Sequence, residues 1–543
     1  MSASRQQVNC PRVLRSEQLP LFLLILLGVM YFCLMIPFNL TGAETPEMLE
    51  VFEVDEYAQY PHLMRMLSPG DDFYQTIRNF FIYLHYYYGF PFYFWSALSV
   101  LPLKIFGSVW PDNTRMIVCV LRQMISVLPM ILSAGLLTWI ATKFKRFWIT
   151  VVLDLLLLSM PAVLQNDFWW HPDSLTLLFL SLTFFFLDRD DMRCGRNFLF
   201  AAFACGAAIG TKYLGVYFVL AIPAYLLCCR AGNSISTKDC FSKAILFLVV
   251  MAAAVLFSNP LLLLPQERSE IFKIMKQQTE LSGTGIFLRY ENSFWQDGHL
   301  PSWLTENYIH LPLLVLSCLS IIAGIFSKKR KTRTISVVLM CYLAAACMIN
   351  LNTAASRLHY FLPILIPLTA SLPFAIEFFP IQLHKYIEIG LCLIAALQIG
   401  LNIPTDLNLM NTQLHREENS ASISLYHTLE KSYLPLPEVP AERMTRIYRD
   451  WKVYFPEQND YAIKTDWNLA SFTLIEDWHP DLILLEKENI QAYSGDGLSE
   501  QAVNTDKMEK TREFYAAAAL KSIPGYTFLC ENGFGMVFRK DLP

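Results

Sequence analysis

The sequence predicts an α-helical polytopic membrane protein with a small soluble α/β domain at its C-terminal end. Hydrophobic residues make up 54% of the 543 positions and charged residues only 17%, a composition typical of multi-spanning membrane proteins. Many apolar runs are close to the ~20 residues that cross a hydrocarbon core. After residue 403 the chain becomes polar, which indicates a separate domain.

Eleven apolar runs predict transmembrane spans at residues 19–40, 116–141, 147–164, 173–187, 197–211, 213–229, 243–262, 308–326, 334–351, 357–379 and 386–403. The first run is too long for a cleavable signal peptide and lacks a small-residue cleavage pattern, so we expect it to remain as span 1. Spans 4 and 5 are short and cover only ~22 Å. We therefore expect their outer ends to lie below the membrane surface, beside a water-filled cavity.

Lysine and arginine collect in the N-terminal residues 1–18 and in the segments 143–146, 189–196, 230–243 and 328–333. With eleven spans these five groups share one side, which the positive-inside rule makes cytoplasmic. The N-terminus is then cytoplasmic and residues 404–543 lie on the opposite face. The formal net charge of −4 offers no basic surface for nucleic acid.

The first outer loop, residues 41–115, holds an apolar segment from Phe90 to Val109 that could itself be a span. Counting it would move the later basic clusters outside, so we interpret residues 73–110 as helices along the membrane surface. Thirteen of the 23 residues from Phe73 to Trp95 are aromatic, which suits such an interface. A packed aromatic core is the alternative.

The C-terminal segment contains strand-sized apolar runs, such as Leu482–Leu485 and Met536–Phe538, and a helical pattern from Glu509 to Leu520. We interpret residues 404–543 as one small soluble α/β domain. It could shape the choice of acceptor or serve only as a scaffold.

Six ionisable side chains fall at the predicted outer ends of spans 1, 4, 5 and 10. Ionisable groups near the hydrocarbon core are costly to bury, so those that occur there usually have a function. The six side chains are Asp55, Glu56, Asp173, Lys212, Arg357 and His359. A positioned carboxylate can take a proton from a hydroxyl acceptor, and Asp55 with Asp173 could also hold a divalent metal ion. The structural alternative for Asp55 and Glu56 is an N-cap or a salt bridge, and it has more weight for Glu56 because adjacent residues on a helix diverge by ~100°. For Asp173 the alternative is a helix start.

The cations indicate a phosphate site, because lysine and arginine recur wherever phosphate oxygens are bound. Lys212 and Arg357 would otherwise be unpaired charges at the membrane. The alternative for both is that they extend to the lipid head groups. For His359, the alternative is a structural hydrogen bond at the start of a helix.

The order of these motifs resembles the GT-C class of membrane glycosyltransferases, in the branch of protein O-mannosyltransferases and the lipid A aminoarabinose transferase. The resemblance covers roughly residues 15–375. The motifs in order are Asp55-Glu56, Phe90-Pro91-Phe92-Tyr93-Phe94-Trp95, Leu121-Arg122, His171-Pro172-Asp173, Gly206-x-x-x-Gly210-Thr211-Lys212-Tyr213 and Arg357-x-His359-Tyr360. One departure is Tyr88-Gly89-Phe90, where some relatives have a basic residue; His85 is a possible substitute.

The resemblance implies inverting transfer of a sugar from a polyprenyl-phosphate carrier to a lipid, glycan or protein hydroxyl on the non-cytoplasmic face. Asp55 would be the base or a metal-linked carboxylate, with Glu56 and Asp173 assisting. Lys212, Arg357 and His359 would bind the donor phosphate. The outer loop 263–307 would form a lid within a catalytic domain over residues 19–403.

The partners implied are a polyprenyl-phosphate-linked sugar and membrane lipids, without nucleic acid. The host membrane would be an inner or plasma membrane, or the endoplasmic reticulum in a eukaryote. A transporter or flippase is the competing function, but it predicts charges across the membrane midplane and paired broken spans.

Overall fold

A computed structural model describes residues 18–107, 110–285, 287–289, 296, 298–353, 357–434, 436, 443–457, 459–465 and 469–541. The basic N-terminal residues Arg5, Arg12 and Arg15 lie outside these ranges. So do Tyr290 to Asn292 and Trp295 of the predicted lid.

The described part of the chain begins with one apolar helix, which is followed by four helices in the first outer loop. They are α1 (Gln18–Asn39), α2 (Pro46–Phe52), α3 (Val54–Leu67), α4 (Phe73–Phe81) and α5 (Phe90–Phe106). The start of α4 is capped by the Asp72 carboxylate, which accepts from the Gln75 amide at 2.6 Å. Helix α4 buries none of its residues and leaves Phe73 and Tyr74 exposed, as an interfacial helix would.

The aromatic stretch also forms a core, so both interpretations of it apply to different residues. Tyr83, Tyr86, Phe92 and Tyr93 are buried in one cluster with Trp170. The ring centroids of Tyr83 and Tyr93 lie 4.5 Å apart, within the range of favourable aromatic pairs. The aromatic residues from Tyr83 to Tyr93 therefore anchor the outer loop, while those of α4 expose apolar rings.

The next helices build the centre of the bundle. They are α6 (Thr114–Leu121), a π-helical turn (Arg122–Val127), α7 (Leu128–Thr142), α8 (Phe147–Leu158), α9 (Pro161–Asp167), α10 (Asp173–Asp190), α11 (Arg196–Thr211), a 3₁₀ turn (Tyr213–Tyr217), α12 (Phe218–Ala231) and α13 (Thr237–Ser258). Helix α10 packs between α7 and α11. The π-helical turn is a geometry frequent at functional sites.

The second half of the bundle begins with an outer segment. Its helices are α14 (Pro265–Thr284), α15 (Leu300–Asn307), α16 (Leu311–Ile325), α17 (Arg330–Asn352), α18 (Leu362–Ala370) and α19 (His384–Leu414), with 3₁₀ turns at Pro260–Leu263, Leu358–Phe361, Leu372–Phe378 and Ile381–Leu383. The predicted lid segment reaches the C-terminal domain, because the Arg289 amide donates to the Gln501 carbonyl at 2.7 Å.

Within the described residues, seven helical segments are long and apolar enough to cross a membrane, or up to nine if each bent pair is one span. The bent pairs are α8 with α9, at 59°, and α15 with α16, at 90°. The remaining two of the eleven predicted spans correspond to α10 and α11, of 18 and 16 residues. Each predicted span thus has a helix, and the count of eleven crossings stays a prediction. The chain is an integral membrane protein.

The C-terminal domain contains α20 (Ala421–Tyr433), α21 (Phe472–Trp478), α22 (Lys487–Tyr493), α23 (Leu498–Gln501) and α24 (Thr505–Ala519). Its strands are β1 (Thr445–Arg449), β2 (Tyr461–Thr465), β3 (Leu482–Glu486), β4 (Tyr526–Glu531) and β5 (Gly535–Lys540), in the order β2-β1-β3-β5-β4. Strand β1 is parallel to β2 and β3, and β5 is antiparallel to β3 and β4.

The sheet has a hydrophobic core on each face, because successive strand residues point to opposite sides. Leu482 and Leu484 of β3 pack in a cluster with α20, whereas Ile483 and Leu485 pack in a cluster with α24. Helix α19 continues past the predicted domain boundary at residue 404 and ends at Leu414. The α/β fold itself begins with α20.

Candidate active site

Asp55 lies in the first turn of α3, directly after the short helix α2, and its side chain is 33% exposed. Its Oδ2 atom is 4.0 Å from Nε2 of His171 and 3.9 Å from a guanidinium nitrogen of Arg357. These distances exceed those of a direct hydrogen bond. Asp55 is therefore an accessible carboxylate between an imidazole and a cation.

Asp173 and Lys212 form an ion pair that joins the start of α10 to the end of α11. The Asp173 carboxylate opens α10, and Nζ of Lys212, just after α11, lies 2.6 Å from its Oδ1. Oδ2 of the same carboxylate accepts a short hydrogen bond from Nδ1 of His171. Both carboxylate oxygens are thus engaged, and the side chain is fully buried. The outer end of span 4 was expected to lie beside a water-filled cavity. The Asp173 side chain at that end is instead enclosed by protein.

The His171 ring is fixed from three sides. A carboxylate can only accept, so Nδ1 carries the proton toward Asp173, and Nε2 accepts from the Tyr88 hydroxyl at 2.6 Å. The Trp169 ring stacks on the imidazole at a centroid distance of 3.9 Å. Burial lowers the pKa of His171, while the Asp173 carboxylate acts in the opposite direction. The ring is therefore neutral near pH 7, with Nε2 directed toward Tyr88 and Asp55.

Close backbone packing brings the Tyr88 and Lys212 segments together. The Gly89 amide donates to the Thr211 carbonyl at 3.2 Å, and a Cβ on Gly89 would lie 1.5 Å from the Gly210 carbonyl oxygen. Side-chain atoms of Asn259 then bond both the Phe90 amide and the Gly210 carbonyl, at 2.8 and 2.9 Å. Glycine is required at position 89 because any side chain there would collide with the Gly210 backbone.

Glu56 is buried inside the protein and does not lie with Asp55 and Arg357, the accessible residues of the site. Its carboxylate and the Arg122 guanidinium form a buried bidentate pair, with N–O distances of 2.8 and 2.5 Å and no exposure of either side chain. The Trp170 amide also donates to Glu56 at 2.7 Å. Adjacent positions on a helix diverge by ~100°, which is why Asp55 is accessible and Glu56 is internal.

Arg357 and Lys212 are the two predicted cations that reach solvent, with 58% and 15% of their side chains exposed. Nζ of Lys212 also lies 5.0 Å from the centre of the Tyr360 ring. His359 is buried between rings, 4.9 Å from His171 and 5.0 Å from Trp169 by ring centroids. This places His359 in the aromatic wall of the site. His85, the possible substitute, is hydrogen-bonded to the Tyr93 hydroxyl.

The geometry around Asp173 does not suit a divalent metal ion. His171, Asp173 and His359 bring possible ligand atoms within 4.8 Å of one another, a set different from the predicted pair Asp55 and Asp173. However, the Lys212 ammonium already occupies the position beside Oδ1, and it would repel a second cation there. We therefore assign no chemical step to a metal.

Sequence reasoning missed the roles of His171, Tyr88 and Arg122. The spacing in His171-Pro172-Asp173 was the available signal, since an imidazole two residues before a carboxylate can reach it. The Tyr88 and Arg122 contacts join residues 83 and 66 positions apart, and no local pattern encodes such pairings.

A separate cavity of about 560 Å³ lies at the other end of α10, lined by Arg189, Arg193 and other residues.

No family model matches the chain, and neither does any curated protein. Among solved structures, ArnT from Cupriavidus metallidurans bound to undecaprenyl phosphate is similar, with 11% identity and a TM-score of 0.52 over 95% of this chain and 97% of that chain. The same protein in the apo state gives 11% identity over the same shares and a TM-score of 0.48. At this identity the first comparison shows a shared fold. The chain therefore has the GT-C fold that its motifs predicted.

Proposed function

We propose that this chain is a membrane glycosyltransferase that transfers a sugar from a polyprenyl-phosphate carrier to a hydroxyl acceptor on a lipid, glycan or protein. The observation that carries the proposal is the grouping of three charged side chains from distant parts of the chain around His171 and Asp173. They are the accessible carboxylate of Asp55, the exposed guanidinium of Arg357 and the partly exposed ammonium of Lys212. The shared fold adds support, because the similar ArnT structure has undecaprenyl phosphate bound.

The donor phosphate would bind at Lys212 and Arg357. The lysine supplies a point charge and the arginine a planar fork of donors, which together suit phosphate oxygens. The Asp173 carboxylate orients Lys212 through their 2.6 Å contact. With the head group held there, the polyprenyl tail would remain in the bilayer, and the anomeric carbon would lie near Asp55.

The acceptor hydroxyl would be activated by Asp55. The carboxylate takes the hydroxyl proton as the acceptor oxygen forms its bond to the anomeric carbon. On the opposite side the bond between that carbon and the phosphate oxygen breaks, and polyprenyl phosphate leaves with the electron pair. A single displacement inverts the anomeric configuration, and no covalent intermediate with the protein forms.

His171 would assist by helping to position Asp55. Its Nε2, which accepts from the Tyr88 hydroxyl, is 4.0 Å from Oδ2 of Asp55, and its Nδ1–H is held by Asp173. This is the logic of an aspartate that orients a histidine. His171 is thus a positioning residue, since it acts through Asp55.

The reaction would take place on the non-cytoplasmic face. The basic segments at 143–146, 189–196 and 328–333 all lie at helix ends opposite to the end of α10 that carries Asp173. The positive-inside rule then makes the Asp173 end external. The C-terminal domain, which contacts the outer loop near Asp55, would lie on the same external side.

Mass spectrometry of envelope lipids and glycans tests the proposal in cells. Cells with the wild-type protein should contain a sugar-modified species that is missing both from cells without it and from cells with Asp55→Asn. The lipid-linked donor should accumulate in both deficient strains. Identical lipid and glycan profiles in all three strains would contradict a transferase, and transbilayer redistribution of an unmodified lipid would support a flippase instead.

A further inference from the structure

Three glutamates spaced three residues apart surround Asp55, and each is paired with a different arginine. Arg122 pairs with Glu56 from the π-helical turn of the bundle. The other two pairs are Arg416 with Glu53 and Arg449 with Glu50. Asp55 itself is the one carboxylate of this segment that faces the site.

The Arg449–Glu50 pair connects the first outer loop to β1, an interior strand of the C-terminal sheet. Arg449 ends β1, and it also donates to the Val453 carbonyl at 2.7 Å. Both charged side chains are almost fully buried, at 3% and 4% exposure. The Thr465 hydroxyl of the neighbouring strand donates to the second oxygen of Glu50 at 3.3 Å. Glu50 is thus bound by two strands of the domain.

Helix α2 packs between the C-terminal domain and the bundle, because Leu49 is buried in the cluster that contains Val118 of α6 and Trp170. Met48 is buried in the cluster that contains Leu425 of α20 and Leu482 of β3, with Phe52 at its edge. Asp55 follows only three residues after α2 ends at Phe52. Any shift of the domain relative to the bundle would therefore move the chain that carries Asp55.

The other two arginines tie the same segment to the bundle. Arg122 and Arg416 both donate to the Thr41 carbonyl, just after α1, and the Arg416 guanidinium lies 4.9 Å from the centre of the Phe52 ring. Arg416 follows directly after α19. The segment that carries Asp55 is thus attached to the bundle by two arginines and to the C-terminal domain by a third.

We propose that the C-terminal domain is a positioning element of the active site, which holds Asp55 in its reactive place through the Arg449–Glu50 pair. This inference rests on the proposed transferase activity. It assigns the domain a role in turnover without any contact between the domain and the transferred sugar. A displacement of about 1 Å at a reacting group can lower a rate roughly 100-fold, so loosening this pair should lower turnover.

The test uses Glu50→Gln and Arg449→Gln in the full-length protein. Each should lower turnover per folded molecule at saturating donor by about 10-fold or more, with donor affinity close to wild type. The melting temperature should also fall in each single variant, because one charge of a buried pair is left uncompensated. The double variant should be no slower than the slower single variant, because both changes remove one interaction. The matched control is Arg443→Gln, which removes an ion pair with Asp481 inside the same domain and should leave turnover unchanged.

Backbone amide exchange of residues 46–57 provides a readout that needs no substrate. Exchange should be faster in Glu50→Gln than in wild type and in Arg443→Gln. If the wild type transfers no sugar, the transferase proposal fails, and the exchange result alone decides whether the pair holds the segment. Wild-type turnover in Glu50→Gln, losses that multiply in the double variant, or unchanged exchange would each overturn the inference.

Discussion

Asp55 and Glu56 are neighbours in sequence, and the structure predicts opposite consequences for their loss. Oδ2 of Asp55 is 3.9 Å from Arg357 and 4.0 Å from His171, so Asp55→Asn breaks no direct hydrogen bond that the structure shows. Its effect on the free energy of unfolding should stay within about 0.5 kcal/mol. If Asp55 is the general base, turnover should fall about 10²- to 10⁴-fold.

Glu56→Gln should act on stability instead. It removes the charge that compensates Arg122, which is fully buried and whose remaining acceptors are the Asn39 and Thr41 carbonyls at 3.0 and 2.9 Å. An uncompensated buried charge costs about 3–5 kcal/mol, a large part of the 5–15 kcal/mol that typically stabilises a protein. The fraction that remains folded should lose less turnover than Asp55→Asn does, because the Asp55 carboxylate is still present.

The assay measures turnover per folded molecule together with unfolding of the detergent-purified protein. Glu44→Gln is a matched control, because Glu44 lies in the same loop and forms an exposed pair with Arg115. It should change neither quantity. The reasoning is refuted if Glu56→Gln keeps wild-type stability and loses turnover as Asp55→Asn does, since Glu56 would then belong to the catalytic machinery.

Lys212→Ala and Arg357→Ala should each weaken binding of a polyprenyl-phosphate sugar about 10- to 100-fold, the value of lost charged hydrogen bonds. Arg357→Lys should restore binding only in part, and unchanged affinity in both alanine variants would remove these residues from the site. A cysteine at position 330 should be labelled only from the cytoplasmic side, so labelling from outside would reverse the topology. Burial raises the pKa of Asp450 to about 6, above its ordinary value, so the folded state binds the proton more tightly. Stability of the C-terminal domain should therefore fall as pH rises from about 4 to 6, and Asp450→Asn should flatten this dependence in a pH series of melting curves.

The helical architecture was predictable from the sequence because apolar length alone determines a span. Each predicted span has a helix, and the short spans at α10 and α11 were also expected. The aromatic loop was harder, since the same residue types suit a membrane surface and a packed core. Phe73 is exposed and Phe92 is buried, and only tertiary packing separates them.

For the candidate site, the sequence indicated which residues to consider but not how they contact one another. Span ends indicated Asp55, Asp173, Lys212 and Arg357, because ionisable groups stand out in an apolar sequence. Which charges pair is a property of the fold, so the sequence could not show that Lys212 neutralises Asp173. For the same reason it could not show that Glu56 faces inward.

The most direct test of the proposed activity follows the sugar itself. Purified protein in liposomes is incubated with a polyprenyl-phosphate carrier bearing a radiolabelled sugar and with extracted envelope lipids, glycans and proteins as acceptors. The wild type should release free polyprenyl phosphate and move the label to one acceptor fraction, and Asp55→Asn should do neither. Label that stays on the carrier with the wild type, or equal transfer by both proteins, would contradict the assignment of Asp55 as the base of a lipid-linked sugar transferase.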